Sequence, residues 1–249
     1  MVNTSYSPPK IVDSFWVTFR MMFKEEWRQN IDFAKKRHIA LFPVMLALLS
    51  MIVTVGLRYL TGEVLINSEE SQQAFTWEQL KIYMHVGIFG FSLSMGSFAF
   101  IGRVMVSQRD GGKNYLLAIP AVQPLDLVTN YFAYYSKEVT YYFLMLLTPA
   151  ILGMAGGLLL EQFAGLSTPL MWSSLPVVLF ALTATLAQGL SFSFIASALF
   201  SRGGIWSYVI PVIGITIALL ASIQIINLEF LIPGMMYQFS HQHLIPIVS

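Results

Sequence analysis

The side chains that could do chemistry in this 249-residue chain are few, and their spacing is the first thing to read. His241 and His243 stand as His-x-His near the C-terminus and could offer two nitrogens to a metal, but no convincing third ligand accompanies them. Glu25 and Glu26 form a carboxylate pair in "EEWR", in a helical stretch whose charges read as a solvated face. Ser167 and Ser191 end two Gly-Leu-Ser triplets, but a serine in an apolar helix more often packs or bonds to backbone than attacks a substrate. Cysteine is absent, which excludes thiolate nucleophiles, thiolate metal sites and disulfides. There is no HExxH and no GxxxxGK[ST], so hydrolysis of ATP by the phosphate-loop route is closed to this chain. The expectation is a protein that is not an enzyme and carries no metal or cofactor of its own.

The elements that would position these residues are membrane helices. Hydrophobic residues make up 56% of the chain and charged residues 11%, against about 25% charged in a soluble domain. Charge-free runs of spanning length recur, and a run of about 18 apolar residues reads as a transmembrane helix. The expected fold is an all-α polytopic membrane protein, one transmembrane domain over 1–249. Five spans are expected, at 39–59, 82–106, 139–160, 175–200 and 205–226. Residues 227–249, broken by Pro233 and Pro246, read as short interfacial or re-entrant pieces on the extracytoplasmic side. The opening "MVNTSYSPPK" has no apolar core, so no cleavable signal peptide is expected. The formal net charge of +1, without a basic stretch interleaved with aromatics, gives no nucleic-acid surface.

Residues 11–33 are too charged to span. Val12, Phe15, Trp16, Phe19, Phe23, Trp27 and Ile31 recur at helical spacing, with Asp13, Arg20, Lys24, Glu25 and Arg28 mostly on the other side. That pattern predicts an amphipathic helix lying in the membrane interface. "KKRH" at 35–38 then marks a boundary before the first span. Orientation follows from the basic residues. Lys10, Arg20, Lys24, Arg28, Lys35, Lys36 and Arg37 precede the first span; Arg103, Arg109, Lys113, Lys137 and Arg202 fall on the same side if the spans alternate. Only Arg58 and Lys81 lie opposite, which places the N-terminus in the cytoplasm of a plasma-membrane protein and Glu63, Glu69, Glu70, Glu78, Glu161 and Glu229 outside.

Three polar side chains fall inside spans: His85, Gln188 and Gln224. Intramembrane polar groups are functional candidates, and for the two glutamines interhelical hydrogen bonding is the favoured reading. No span has a carboxylate in its central part, which argues against an ion-coupled carrier. Gly153-x-x-x-Gly157 offers a close-packing surface, within the chain or across a dimer. No internal repeat is evident, which counts against an inverted-repeat carrier.

Between spans two and three, 107–130 is a cytoplasmic interruption beginning "SQRDGGKNYLLAIPAVQPLDL". Arg109, Asp110 and the glycine pair set an exit from the membrane; Lys113, Tyr115, Leu116, Leu117 and Ile119 belong to a short helix that Pro120 ends; Pro124 and Asp126 suit a new helix start. A short helix exposing apolar residues is a docking knob for another protein.

The order of parts resembles the permease subunit of a type-2 ATP-binding-cassette exporter. The resemblance runs from about Phe15 to Leu231 and rests on the N-terminal helix and its basic boundary, on Arg109, Gly111, Leu116, Leu117, Pro120 and the helix start at 124–128, and on "LFSRGG" after span four. Gln108, Gly112 and Asn130 depart from the family pattern, and its sixth span is not reached. The resemblance implies that 107–130 holds the coupling helix, seated in a separate ATP-binding subunit through Arg109, Asp110, Lys113, Tyr115, Leu116, Leu117 and Pro120. It further implies a second permease chain, and ATP with Mg bound only by the partner. The alternatives are an ATP-independent carrier and a membrane anchor or scaffold.

Overall fold

The computed structural model describes residues 11–37, 41–60, 82–96, 127–165, 170–201, 204–223, 225–235, 237–239 and 244–246. The architecture is helical, and the chain separates into two compact units: Met1–Ala40 with Met105–Tyr142, and Leu41–Val104 with Phe143–Ser249.

In the first unit, α1 (Ile11–Arg37) packs on α4 (Leu127–Tyr142). α1 contains neither Gly nor Pro, and it continues through the basic run to Arg37, four residues past the boundary expected at 33. Its packed face is Thr18, Met22 and Glu26, spaced one turn apart and so aligned in a row. The facing row on α4 is Thr129, Ala133 and Lys137, at the same spacing. Thr18 satisfies its buried hydroxyl by donating to the Ser14 carbonyl at 2.8 Å. The aromatic stripe is therefore not the packed face. Phe15, Phe19, Phe23 and Trp27 stack in sequence along one flank, with centroids 5.9–6.2 Å apart. Trp16 and Trp27 remain 59% and 37% exposed.

The second unit holds α2 (Leu41–Leu60), α3 (Ile82–Gly96), a π-helical turn (Phe143–Leu147), α5 (Thr148–Phe163), α6 (Ser174–Ser201), α7 (Trp206–Ser222), α8 (Leu228–Leu231) and a 3₁₀ turn (Pro233–Met235). The π turn has a local cause. Pro149 cannot donate to the carbonyl four residues back and its ring crowds that carbonyl, so the helix widens just before it. The Thr148 hydroxyl donates to the Phe143 carbonyl at 3.0 Å across the widened turn. Gly165 and Gly204, with φ of 66° and 62°, supply the left-handed turns after α5 and before α7. The tail adds one feature the all-α expectation did not include, a three-residue antiparallel ladder pairing Tyr237 with Pro246 and Phe239 with Leu244.

Two interhelical seams organise this unit. α5 lies on α2 through small residues: a Cβ on Gly153 would strike the Ala47 carbonyl, and one on Gly157 would lie 2.7 Å from Thr54 Cβ. The Ser50 hydroxyl donates to the Ala150 carbonyl at 2.7 Å between the same helices. α3 lies on α6 in the same manner, with Gly96 against Ser193, Gly189 against Ser92, and Ser193 donating to the Leu93 carbonyl at 2.6 Å. In both seams the contacts advance together along the two chains, Ala47 to Thr54 with Gly153 to Gly157, and His85 to Gly96 with Thr185 to Ser193. Each seam therefore joins parallel helices.

Two helices are long and apolar enough to cross a membrane, Val128–Phe163 and Ser174–Phe200. The first runs 36 residues, which at 1.5 Å per residue is about 54 Å, against about 30 Å of hydrocarbon. Only 22% of its most apolar window is buried by the rest of the chain, and 50% of that of the second. The uncovered apolar surface continues on α2 (Met45, Leu49, Ile52) and α7 (Tyr208, Val212, Ile215, Leu219).

Candidate functional site

The first polar cluster lies between α1 and α4, inside the first unit. Lys137 is fully buried, and its ammonium donates to the Glu26 carboxylate and, at 2.7 Å, to Glu138 Oε1. The same nitrogen sits 4.4 Å from the centroid of the Tyr134 ring, within cation–π range. Glu138 is 3% exposed and the Glu26 side chain 17%. An ammonium withdrawn from water needs such partners, because each buried ion costs several kcal/mol of lost hydration. Asn130 is buried on the same helix, and its Oδ1 has no hydrogen-bond partner among the described residues.

This geometry corrects the reading of "EEWR" as a solvated pair. Glu25 does stay at the surface and accepts from Arg28, a helical neighbour, at 2.7 Å. Glu26 turns the other way, because it follows Met22 by four residues and so shares its packed face. Lys137, counted from sequence only as a topological charge, is the centre of the cluster. The available signal was its place in "NYFAYYSKE", an otherwise apolar and aromatic helix where a lysine must find a carboxylate.

The second cluster lies within the second unit. His85 Nδ1 is 2.7 Å from Thr185 Oγ1, and both residues are fully buried. Thr185 has one hydroxyl proton, and it is directed at the Ala181 carbonyl 3.0 Å away. With that proton so directed, Oγ1 is left to accept from Nδ1, which corresponds to the tautomer that carries its hydrogen on Nδ1. The C-terminal tail closes over the same turn of α6. A Cβ on Gly234 would collide with Thr185 Oγ1 and the Ala181 carbonyl, so only glycine allows this approach. Ile232 and Met235 are buried on either side, and Gln188 Nε2 donates to the Leu231 carbonyl at 2.7 Å. His85, Gln188 and the tail thus meet along α6, a convergence that sequence spacing could not reveal.

The remaining expected residues divide plainly. Gly153 and Gly157 are spent on packing inside the chain, against α2. Ser191 donates to the Ala187 carbonyl at 2.9 Å. Glu161, expected in an outer loop, is instead in the last turn of α5 and 1% exposed. The coupling segment with Arg109, Asp110, Lys113, Tyr115, Leu116, Leu117 and Pro120 lies outside the described residues, as do Gln224, His241 and His243. Among the described residues no three of His, Cys, Asp and Glu are grouped to hold a metal. Neither cluster assembles a nucleophile with a base and an orienting third group. Comparison with protein-family models, with characterised proteins and with solved structures gave no match.

Proposed function

We propose that this chain is the membrane-spanning subunit of an ATP-driven exporter of the type-2 ATP-binding-cassette class, drawing its energy from a separate ATP-binding subunit. The observation that carries the reading is the order of parts along the chain. An amphipathic helix, a basic boundary and a span are followed by an outer acidic loop, a second span and the segment 107–130. Two structural features support it. The aromatic stripe of α1 lies off the face packed on α4, as a helix resting in a membrane interface requires. The seams α2–α5 and α3–α6 join parallel helices, as they must if these are spans one and three, and two and four, of an alternating series.

In this reading five spans cross the plasma membrane from a cytoplasmic N-terminus, and two permease chains face one another. The ATP-binding subunits grip the segment 107–130, and their closure on ATP tilts the spans as rigid bodies. The direct test is co-purification from detergent extract. An ATP-binding subunit should accompany the wild-type chain and be lost from Leu116→Asp/Leu117→Asp. Equal recovery with both chains would remove the docking assignment.

A second reading, a carrier that works without ATP, is favoured by one specific observation. Lys137 and Glu138, on a helix of spanning length, form a buried ionisable cluster with Glu26 of α1, and such groups mark ion pathways in carriers. Transport by the purified chain alone in proteoliposomes would support it; transport only after adding the ATP-binding subunit and ATP would exclude it.

A further inference from the structure

We infer that the exposed face of α1 is a binding surface for anionic phospholipid headgroups, centred on Arg20 and Lys24 and framed by Trp16 and Trp27. The inference rests on the membrane part of the reading above and adds to it a lipid selectivity. The argument begins with the charges on the helix. Of the ionic side chains described between Ser14 and Arg28, Glu25 is taken by Arg28 and Glu26 by Lys137 of α4. Arg20 and Lys24 are exposed and have no ion-pair partner among the described residues. The acids of the segment are committed elsewhere, and two cations are left facing outward.

Position matters as much as charge. Arg20 and Lys24 are one turn apart, so their Cα atoms lie about 6 Å apart along the axis. That spacing suits one phosphate held by both, or two neighbouring headgroups, with the guanidinium supplying a fork and the ammonium a point charge. Trp16 lies one turn before Arg20, and Trp27 three residues after Lys24, both exposed, so these two cations share a face with the tryptophans and do not lie opposite them as the sequence pattern predicts. Tryptophan places an apolar ring and an N–H at headgroup depth, which is why it marks membrane interfaces. Thr18, Met22 and Glu26 hold the opposite face against α4, so the Trp–Arg–Lys face cannot turn inward without breaking the Lys137 ion pair.

The occupant is an anionic leaflet and not the acidic face of a protein. Two exposed cations between two tryptophans match a surface that is negative at the headgroup and apolar just beneath it.

The test uses the full chain with Trp77, Trp172 and Trp206 changed to Phe, leaving Trp16 and Trp27 as the only indoles. It is reconstituted in phosphatidylcholine vesicles containing a minority of brominated phosphatidylglycerol or, separately, brominated phosphatidylcholine. Half-maximal quenching should need several-fold less brominated phosphatidylglycerol, with about fivefold of that preference lost for each charge removed. Arg20→Gln/Lys24→Gln should quench equally with both lipids, and the charge-conserving Arg20→Lys/Lys24→Arg should keep the preference. Equal quenching in the unsubstituted background, or a preference that survives the double Gln change, overturns the inference while leaving the interfacial helix intact. No quenching by either lipid overturns the inference and the interfacial placement of α1 together.

Discussion

Lys137 illustrates how one buried side chain can dominate the energetics of its surroundings. Its ammonium bridges Glu26 and Glu138 and offsets the repulsion between their carboxylates, in a site nearly closed to water. Lys137→Met would leave two carboxylates facing each other without a counter-ion, and the expected loss is about 3–5 kcal/mol. The measurement is thermal unfolding of the purified chain in detergent. Glu26→Gln should cost clearly less, because Glu138 keeps its pairing and the amide oxygen can still accept from the ammonium. The triple variant Glu26→Gln/Lys137→Met/Glu138→Gln should recover much of what Lys137→Met loses, since no ion is then left alone. Were Lys137→Met as stable as the wild type, the cluster would have no structural weight.

At the scale of elements the seams decide which substitutions are tolerated. Gly153→Ala sets a methyl against the Ala47 carbonyl, a backbone atom that cannot swing aside, so the two helices must separate. The expected cost is about 1–3 kcal/mol. Gly156→Ala is the internal control. Its methyl meets only the Met51 side chain, its sulfur at 3.4 Å, a flexible neighbour, and alanine is the better helix former. It should be neutral or stabilising in the same unfolding assay, and equal damage from both variants would dismiss the seam as the cause. The tail offers a second case. Gln188→Leu removes the hydrogen bond to the Leu231 carbonyl, worth about 0.5–1.5 kcal/mol. Amide exchange across 228–235 should quicken several-fold while exchange in α5 is unchanged; an unaltered rate in the tail would show that Ile232 and Met235 hold it unaided.

At the scale of the whole molecule the testable quantity is topology. The chain contains no cysteine, so any cysteine introduced is the only label site. Asn67→Cys in the acidic loop should react with a membrane-impermeant maleimide added to intact cells, and Ser107→Cys should react only after the membrane is opened. The reverse pattern would invert the orientation, and labelling of both from outside would remove the span between them. The parallel α2–α5 and α3–α6 seams are compatible with alternating crossings, whereas antiparallel contacts within either pair would not be.

By itself the sequence determined the class of structure. Apolar runs broken by short charged stretches force helices, since a backbone that gives up water must satisfy its own hydrogen bonds. α1, α2, α6 and α7 begin and end within a few residues of the bounds that periodicity sets and α3 begins at Ile82 as expected, while the helix expected at 139–160 runs from Val128 to Phe163. The helical periodicity of 11–33 was legible because it is a local property, set by neighbours three and four residues away. Only the tertiary structure decided which polar groups meet. Glu26 and Lys137 are separated by 111 residues, and His85 and Thr185 by 100. No local rule could distinguish a glutamate in register with Met22 from one facing water, or tell that Glu161 is enclosed. Those outcomes depend on which helix lies alongside, and burial then makes each partner obligatory.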